Sequence, residues 1–290
     1  MTQSLDDWIA GGSTSILLGH TIFHRQDGPP DGAPVTLLHG FPTSSYDWAA
    51  VLPYLTGAGL RVTTLDFLGM GAGDKPRGHD YRLTEQADLT EALWRRLGIE
   101  RTALVAHDYG VSVAQELLAR DPSRIVATAW LNGGLYPDLH RPVLMQRLLH
   151  GRLGPVFARL GSERGFRAVM GQIMGREVPD AELSAMWRTI TLHDGRRVQP
   201  GLLRYIDERR IHARRWQDAL ESYSGPTLFL WGPADPVSGG HVLPRLRERL
   251  PGADITVLDT PPAVGHYPQV EAPDEVGAAL AAFLTSSPTR

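Results

Sequence analysis

Two carboxylates and a histidine, each set in its own short motif, could together carry out nucleophilic chemistry. The first motif is Leu104-Val105-Ala106-His107-Asp108-Tyr109-Gly110, followed by Val111–Leu118. A strand pattern ends there and a helical pattern begins at once. Asp108 stands between Ala106 and Gly110, small residues two places to either side. A nucleophile elbow needs that spacing, because the turn is too tight for bulk at those positions. The turn exposes its central side chain at the positive end of the following helix, where a carboxylate stays ionised. Aspartate is also a favoured helix N-cap, so this motif by itself leaves capping and catalysis open.

Two further motifs tip the reading toward catalysis. His39-Gly40-Phe41-Pro42 closes an early strand. In folds built around such an elbow, the loop at that place turns a backbone N–H toward the nucleophile, joined by the N–H of the residue after it. The oxyanion-hole donors are therefore assigned to the main chains of Phe41 and Tyr109. Phe41–Pro42 is a candidate cis peptide, and His39 itself reads as structural. Later, Trp231-Gly232-Pro233-Ala234-Asp235-Pro236 puts an acid just past a strand, and Val264-Gly265-His266-Tyr267-Pro268 puts a histidine ahead of a final helix starting near Pro273. The chain order nucleophile, acid, histidine is the one such enzymes follow. Asp235 would hold the His266 ring and stabilise its protonated form. The chain has 11 histidines, and only the agreement of position with the other motifs singles out His266.

These residues need a scaffold that brings three distant loops to one edge. Strand patterns recur at Pro34–Leu38, Arg61–Leu65, Thr102–Ala106, Ile125–Leu131, Thr227–Trp231 and Asp254–Leu258, with helical patterns between them. Apolar runs alternating with helices predict an α/β fold, a mostly parallel central sheet flanked by helices. Thr84–Leu97 carries an apolar stripe, with Thr84 placed as N-cap and Gly98 as the stop. From Tyr136 to Tyr223 the alternation breaks into helices and loops such as Val143–Leu149, Ala181–Trp187 and Leu202–Trp216. The expected organisation is a core domain of residues 1–135 and 221–290 with a helical cap, 136–220, inserted before the last strands. Such a cap would lie over the carboxyl ends of the strands, where open α/β sheets bind ligands.

Composition narrows the function classes. An apolar fraction of 42%, a charged fraction of 21% and a formal charge of -3 suit a globular protein with a sizeable core and no nucleic-acid partner. Arg204, Arg209, Arg210, Arg214 and Arg215 cluster, but Asp207, Glu208 and Asp218 lie among them, so the run reads as a solvated helix face. With no cysteine, disulfides, thiolate metal sites and a cysteine nucleophile are excluded. The start shows no basic segment followed by an apolar one, and no stretch is long and apolar enough for a membrane, so a cytoplasmic location is the expectation. Gly69-Met70-Gly71-Ala72-Gly73 lacks the G-x-G-x-x-G spacing of a dinucleotide loop and reads as a tight structural loop. No metal-site spacing such as H-E-x-x-H occurs, and neither a metal nor a cofactor is expected.

With these residues in place, the chain resembles the epoxide hydrolase and haloalkane dehalogenase branch of the α/β-hydrolases, and within it the mesoderm-specific transcript proteins and their bacterial relatives. The likeness runs nearly the whole length. It is carried by HGFPTSSYDW (His39–Trp48), DFLGMGAGDKP (Asp66–Pro76), HDYGVSVAQELL (His107–Leu118), NGGLYPDLHRP (Asn132–Pro142), WGPADPV (Trp231–Val237) and GHYPQVEAP (Gly265–Pro273). It implies the α/β-hydrolase fold, an aspartate nucleophile and a small hydrophobic organic substrate. It also implies a leaving-group donor, which differs between subfamilies. Haloalkane dehalogenases place Trp after the nucleophile and an Asn or second Trp as halide donors, where this chain has Tyr109 and Phe41. Fluoroacetate dehalogenases carry Arg after the nucleophile. Epoxide hydrolases use cap tyrosines; Tyr205 stands where one of that pair belongs, or else is a packed helix aromatic, and Tyr136, near the core–cap junction, is the candidate for the other.

A carboxylate nucleophile displaces a leaving group at an sp³ carbon, and a histidine then activates water to hydrolyse the ester. Epoxide hydrolysis is the leading expectation and haloalkane dehalogenation the second. A cofactor-independent oxygenase and a non-catalytic ligand-binding homologue remain as other classes. Trp48, Phe157, Trp187 and Trp216 are candidate pocket-lining aromatics.

Overall fold

The computed structural model describes residues 3–287. Eight strands form one sheet: β1 (Ser13–Leu17), β2 (His20–Asp27), β3 (Ala33–Leu38), β4 (Leu60–Leu65), β5 (Thr102–Asp108), β6 (Ile125–Gly133), β7 (Thr227–Trp231) and β8 (Asp254–Val257). They lie in the order β1-β2-β4-β3-β5-β6-β7-β8. From β4 to β8 across the sheet every pairing is parallel, while β2 runs antiparallel to both its neighbours. All of β5 and β6 is buried, as strands covered on both faces must be. Successive side chains serve opposite faces. Leu104 and Ala106 join one core cluster with Trp94, Leu117 and Trp130, whereas Ala103 and Val105 join another with Leu230, Val276 and Leu280.

The six expected strands are present, and β5 runs two residues further than its apolar pattern, to Asp108 itself. The β1–β2 hairpin was not legible. Its turn takes positive φ at Leu18 (50°) and Gly19 (86°), the geometry of a two-residue hairpin turn usually signalled by Asn-Gly. Three of the five β1 residues are exposed, so its apolar signal is thin.

The helices are α1 (Leu5–Ala10), α2 (Leu52–Gly57), α3 (Leu83–Leu97), α4 (Tyr109–Arg120), α5 (Leu144–His150), α6 (Gly154–Leu160), α7 (Glu163–Ile173), α8 (Asp180–Thr191), α9 (Gln199–Leu202), α10 (Tyr205–Ile211), α11 (Ala213–Ser222), α12 (Leu243–Arg249), α13 (Pro268–Glu271) and α14 (Pro273–Ser286). The helices α5 to α11 all fall between β6 and β7. The helical run Leu202–Trp216 is divided at Leu203-Arg204 and at His212. Tyr205 of α10 packs on Phe41 and Tyr109, at the carboxyl ends of β3 and β5, with ring centroids 6.0 and 5.3 Å away. The inserted helices therefore roof the ends of the strands from which Asp108 emerges.

Helix α3 starts differently from expectation. Thr84 is not its N-cap: the helix opens at Leu83, and Arg82 offers no side-chain cap. The Leu83 N–H instead donates to Glu208 Oε2 of α10 at 2.7 Å. A carboxylate from the inserted helices thus answers the positive end of α3. At the other end Gly98 takes φ 65°, the left-handed stop that glycine permits without a Cβ clash. Replacing Glu208 by Ala should lower the unfolding free energy by about 1 kcal/mol, as loss of a helix cap does. Urea denaturation would show this as a lower midpoint at unchanged slope, and an unmoved midpoint would mean that solvent serves the end of α3 equally well.

Candidate active site

The turn from β5 into α4 is strained at one residue. Asp108 has φ 43° and ψ -103°, outside the regions an L-residue prefers. The surroundings enforce this conformation through close approach. A Cβ on Gly110 would lie 2.5 Å from the Leu38 carbonyl oxygen, and one on Gly133 would meet Val111 and the Asp108 Cα. The Gly110 N–H donates to the His39 carbonyl at 3.0 Å, drawing the His39–Pro42 loop against the elbow. Phe41–Pro42 is cis, and the Phe41 N–H donates to Asp108 Oδ2 at 3.1 Å. Tyr109 opens α4, so its own N–H has no partner within the helix.

Asp108, Asp235 and His266 meet. His266 Nδ1 lies 2.8 Å from Asp235 Oδ2, and His266 Nε2 lies 4.0 Å from Asp108 Oδ1. Asp235 also accepts from Asn132 Nδ2, the Val237 N–H, the Ser238 N–H and the Ser238 hydroxyl. The histidine loop has its own anchors. His107 accepts from Gln269 on Nδ1 and so donates from Nε2 to the His266 carbonyl at 2.7 Å. Glu271 collects the N–H groups of Gly175, Arg176, Gly265 and Tyr267. His39 is structural in the same way: its Nε2 accepts from the Phe67 N–H and its Nδ1 donates to the Gly40 carbonyl. The Gly69–Gly73 loop wraps the Asp66 carboxylate, which accepts from Ser45 and Ala72 N–H groups.

Charge decides the state of these groups. Burial alone would push the Asp108 carboxyl up, but the nearby positive charges of His266 and Arg209 outweigh it and hold the group below its ordinary range. Burial likewise opposes ionisation of Asp235 and His266, yet their mutual attraction wins, taking Asp235 down to about 2 and His266 up to about 9. At neutral pH the resting site therefore holds two carboxylates and an imidazolium.

Arg209 is the residue beside Asp108 that sequence reasoning missed. Its charged neighbours Arg204, Arg210 and Arg214 are exposed, as a solvated face requires, but Arg209 is 1% exposed. It shares a helix face with Tyr205 four residues earlier. Its Nε donates to Ser112 Oγ at 2.7 Å and its Nη2 to the Asp108 carbonyl at 2.8 Å. The i, i+4 pairing with an aromatic was the signal available in the sequence.

The other candidates separate cleanly. The Tyr205 hydroxyl accepts from Gln146 Nε2 at 3.3 Å, and its pKa is raised by burial and by the charge of Asp108. Tyr136 does not join it: its hydroxyl donates to Glu221 at 3.2 Å, and Arg245 lies over its ring. Trp48 and Trp216 belong to the core, the latter donating to Glu116. Trp187 and Phe157 line a cleft of about 860 Å³, counted to its open mouth. Its other walls include Leu149, Phe166 and Met170 from the inserted helices and Phe41 and His266 beside Asp108. Among the described residues, the compact grouping of possible metal ligands is His20, His79 and Glu85, in which His79 Nε2 and Glu85 Oε2 are hydrogen-bonded at 2.6 Å. Among the described residues no helix is long and apolar enough to cross a membrane.

Comparison with known proteins bears on both fold and family. A family model described as the alpha/beta hydrolase fold matches residues 33–273. The mesoderm-specific transcript homolog protein of Bos taurus is 40% identical over 99% of this chain and 89% of its own. A haloalkane dehalogenase of Mycolicibacterium paratuberculosis is 30% identical over 79% of this chain and 76% of its own. The crystal structure of haloalkane dehalogenase DbeA from Bradyrhizobium elkani superposes with a TM-score of 0.80 at 23% identity, covering 94% of this chain and 97% of that one. A likeness at that identity speaks to fold alone.

The His266–Asp235 pair has a definite pH signature. Folding raises the His266 pKa, so its stabilisation is complete below the ordinary imidazole value of about 6.5 and is lost as pH rises through about 9. The Asp235 contribution is complete above the ordinary carboxyl value of about 3.9 and is lost as pH falls through about 2. In Asp235→Asn, burial should bring the His266 pKa from about 9 to near or below about 6.5. A histidine-detected NMR titration would read this directly, and an unchanged value would mean that Asp235 does not hold the imidazolium.

Proposed function

The chain is an enzyme of the α/β-hydrolase family, and we propose that within this family it hydrolyses epoxides through an ester formed on Asp108. One observation carries the reading: the elbow presents an aspartate, with the His266–Asp235 pair and the Phe41 N–H arranged about it. A carboxylate is a poor nucleophile toward a carboxylic ester, because attack leads to an anhydride, but it opens strained or activated sp³ carbons readily.

In the first step an Asp108 oxygen attacks an epoxide carbon. The carbon–oxygen bond breaks, and the released oxygen takes a proton from the Tyr205 phenol. The resting His266 imidazolium then gives up its proton, restoring the Tyr205 phenol. In the second step the neutral imidazole takes a proton from water while the hydroxide adds to the Asp108 carboxyl carbon. The resulting oxyanion forms beside the Phe41 N–H, which already faces Asp108 Oδ2 at 3.1 Å, and the Tyr109 N–H completes the hole. Collapse passes the remaining hydroxyl proton to the departing alkoxide, which releases the diol and restores the carboxylate beside a protonated His266.

The resting pKa of His266, about 9, is too high for a base at neutral pH, and the chemistry corrects it. The Asp108 charge is among the causes of that elevation. Ester formation removes this charge, so the imidazolium becomes a stronger acid once a base is needed. Epoxides are favoured over halides because neither Phe41 nor Tyr109 offers a side-chain N–H for a halide, whereas Tyr205 packs on both. Dehalogenation stands as the second reading, on the strength of the relative named a haloalkane dehalogenase. A pure binding module would have no need of the elbow, the oxyanion loop and the acid–histidine pair together.

Intact-mass spectrometry of His266→Gln, incubated with a mixed panel of epoxides and haloalkanes, tests the proposal. The variant should alkylate without hydrolysing, adding the full mass of an epoxide. Asp108→Asn should add nothing. An adduct lacking the halogen's mass would transfer the reading to dehalogenation, and no adduct with any probe would contradict the ester chemistry.

A further inference from the structure

Arg209 has no part in the steps above, yet it is placed for one. Its guanidinium is tied to Ser112 Oγ and to the Asp108 carbonyl. The same Nη2 lies 3.7 Å from Asp108 Oδ1, and the guanidinium carbon lies 4.3 Å from the centroid of the Tyr205 ring. Nη1 is buried without a partner. It lies against Gly134, where a Cβ would come within 2.5 Å of it, so only glycine leaves it space.

A structural arginine would be expected to use all its donors, because an unserved buried N–H is costly. An arginine present only to neutralise Asp108 would grip the carboxylate with two parallel bonds. Arg209 does neither: it stands beside the carboxylate without blocking it and keeps one donor nitrogen free. His140 has both ring nitrogens buried and unpartnered as well. Burial and the charge of Arg209 take its pKa down to about 4, so it adds no competing cation.

We propose that Arg209 is a catalytic residue, the cationic donor that receives the negative charge leaving Asp108 when the epoxide opens. This rests on the ester reading above. As an Asp108 lone pair forms the new carbon–oxygen bond, the electrons of the broken epoxide bond withdraw onto its oxygen. The unit of negative charge then resides on that oxygen, or on the Tyr205 phenolate once the phenol has given up its proton. The starting carboxylate and the phenol ring both flank the same guanidinium, so charge moves across Arg209 rather than away from it. In a site this dry, a displaced anion without a partner would raise the barrier steeply. Arg209 thereby does the work that a second cap tyrosine would do, which Tyr136, bound to Glu221, does not.

The test compares ester formation by intact mass in His266→Gln, His266→Gln/Arg209→Gln and His266→Gln/Arg209→Lys, with styrene oxide and 1,2-epoxyhexane as probes. Arg209→Gln should slow ester formation about 100-fold, the loss typical of one transition-state donor. Arg209→Lys should recover about tenfold of that loss by restoring charge. Should Arg209→Gln not fold, the pH profile of Arg209→Lys decides. Its rate should fall as the lysine deprotonates between about pH 7 and 10, while the Arg209 parent stays flat. Among the other groups facing position 209, His140 titrates below this range and the Tyr205 and Tyr109 phenols above it. Asp108 owes its charge in part to the cation at 209 itself, so its protonation would belong to the same titration of the lysine. Equal rates in all three proteins, or a lysine variant as slow as the glutamine one with a flat profile, would overturn the role of Arg209 and leave the ester reading intact. No adduct on His266→Gln itself would overturn both.

Discussion

A carboxylate that is to attack carbon must be dry and charged at once, and the two demands oppose each other. Removing water sharpens a nucleophile, but it also favours the protonated, inert acid. Asp108 is 2% exposed and still keeps a depressed pKa, because His266 and Arg209 are set around it. Much of the architecture follows from supplying those two cations in fixed positions. His266 needs Asp235, which needs Asn132, Val237 and Ser238. Arg209 needs a helix outside the sheet, which is what the insertion between β6 and β7 provides.

The inserted helices are therefore part of the electrostatic site and not merely its lid. Glu208 sits at the end of α3, and the next residue, Arg209, reaches the elbow, so one turn of α10 joins the insertion to the core at two charged points. The short segment after α7 does the same for the histidine. Gly175 and Arg176 share the Glu271 carboxylate with the His266 loop, and the His266 N–H donates to the Ile173 carbonyl at 2.9 Å. Movement of the insertion would therefore disturb the cations as well as the shape of the cleft.

Local grammar explains what could be read in advance. The convergence of Phe41, Asp108, Asp235 and His266 was legible because each lies in a short motif whose neighbours are constrained by backbone geometry, such as Ala106 and Gly110 around the elbow. Arg209 was hidden because a run of arginines among acids looks like a solvated face, and only the packing of α10 on α4 buries one of them. Trp48 and Trp216 illustrate the opposite error, since an aromatic near a motif is more at home in a core than in a cleft. Thr84 had the right chemistry for a cap, but Glu208, distant in sequence, took the position. No local pattern could announce that exchange.

The central claim, that water attacks an ester on Asp108 and not the substrate itself, is tested most directly by a single turnover in H₂¹⁸O with enzyme in excess over an epoxide. The account predicts that the first oxygen delivered to the product comes from the Asp108 carboxylate. The diol should emerge unlabelled, and ¹⁸O should appear in the peptide containing Asp108. Label in the diol, with Asp108 unlabelled, would mean direct attack by water and would contradict the account.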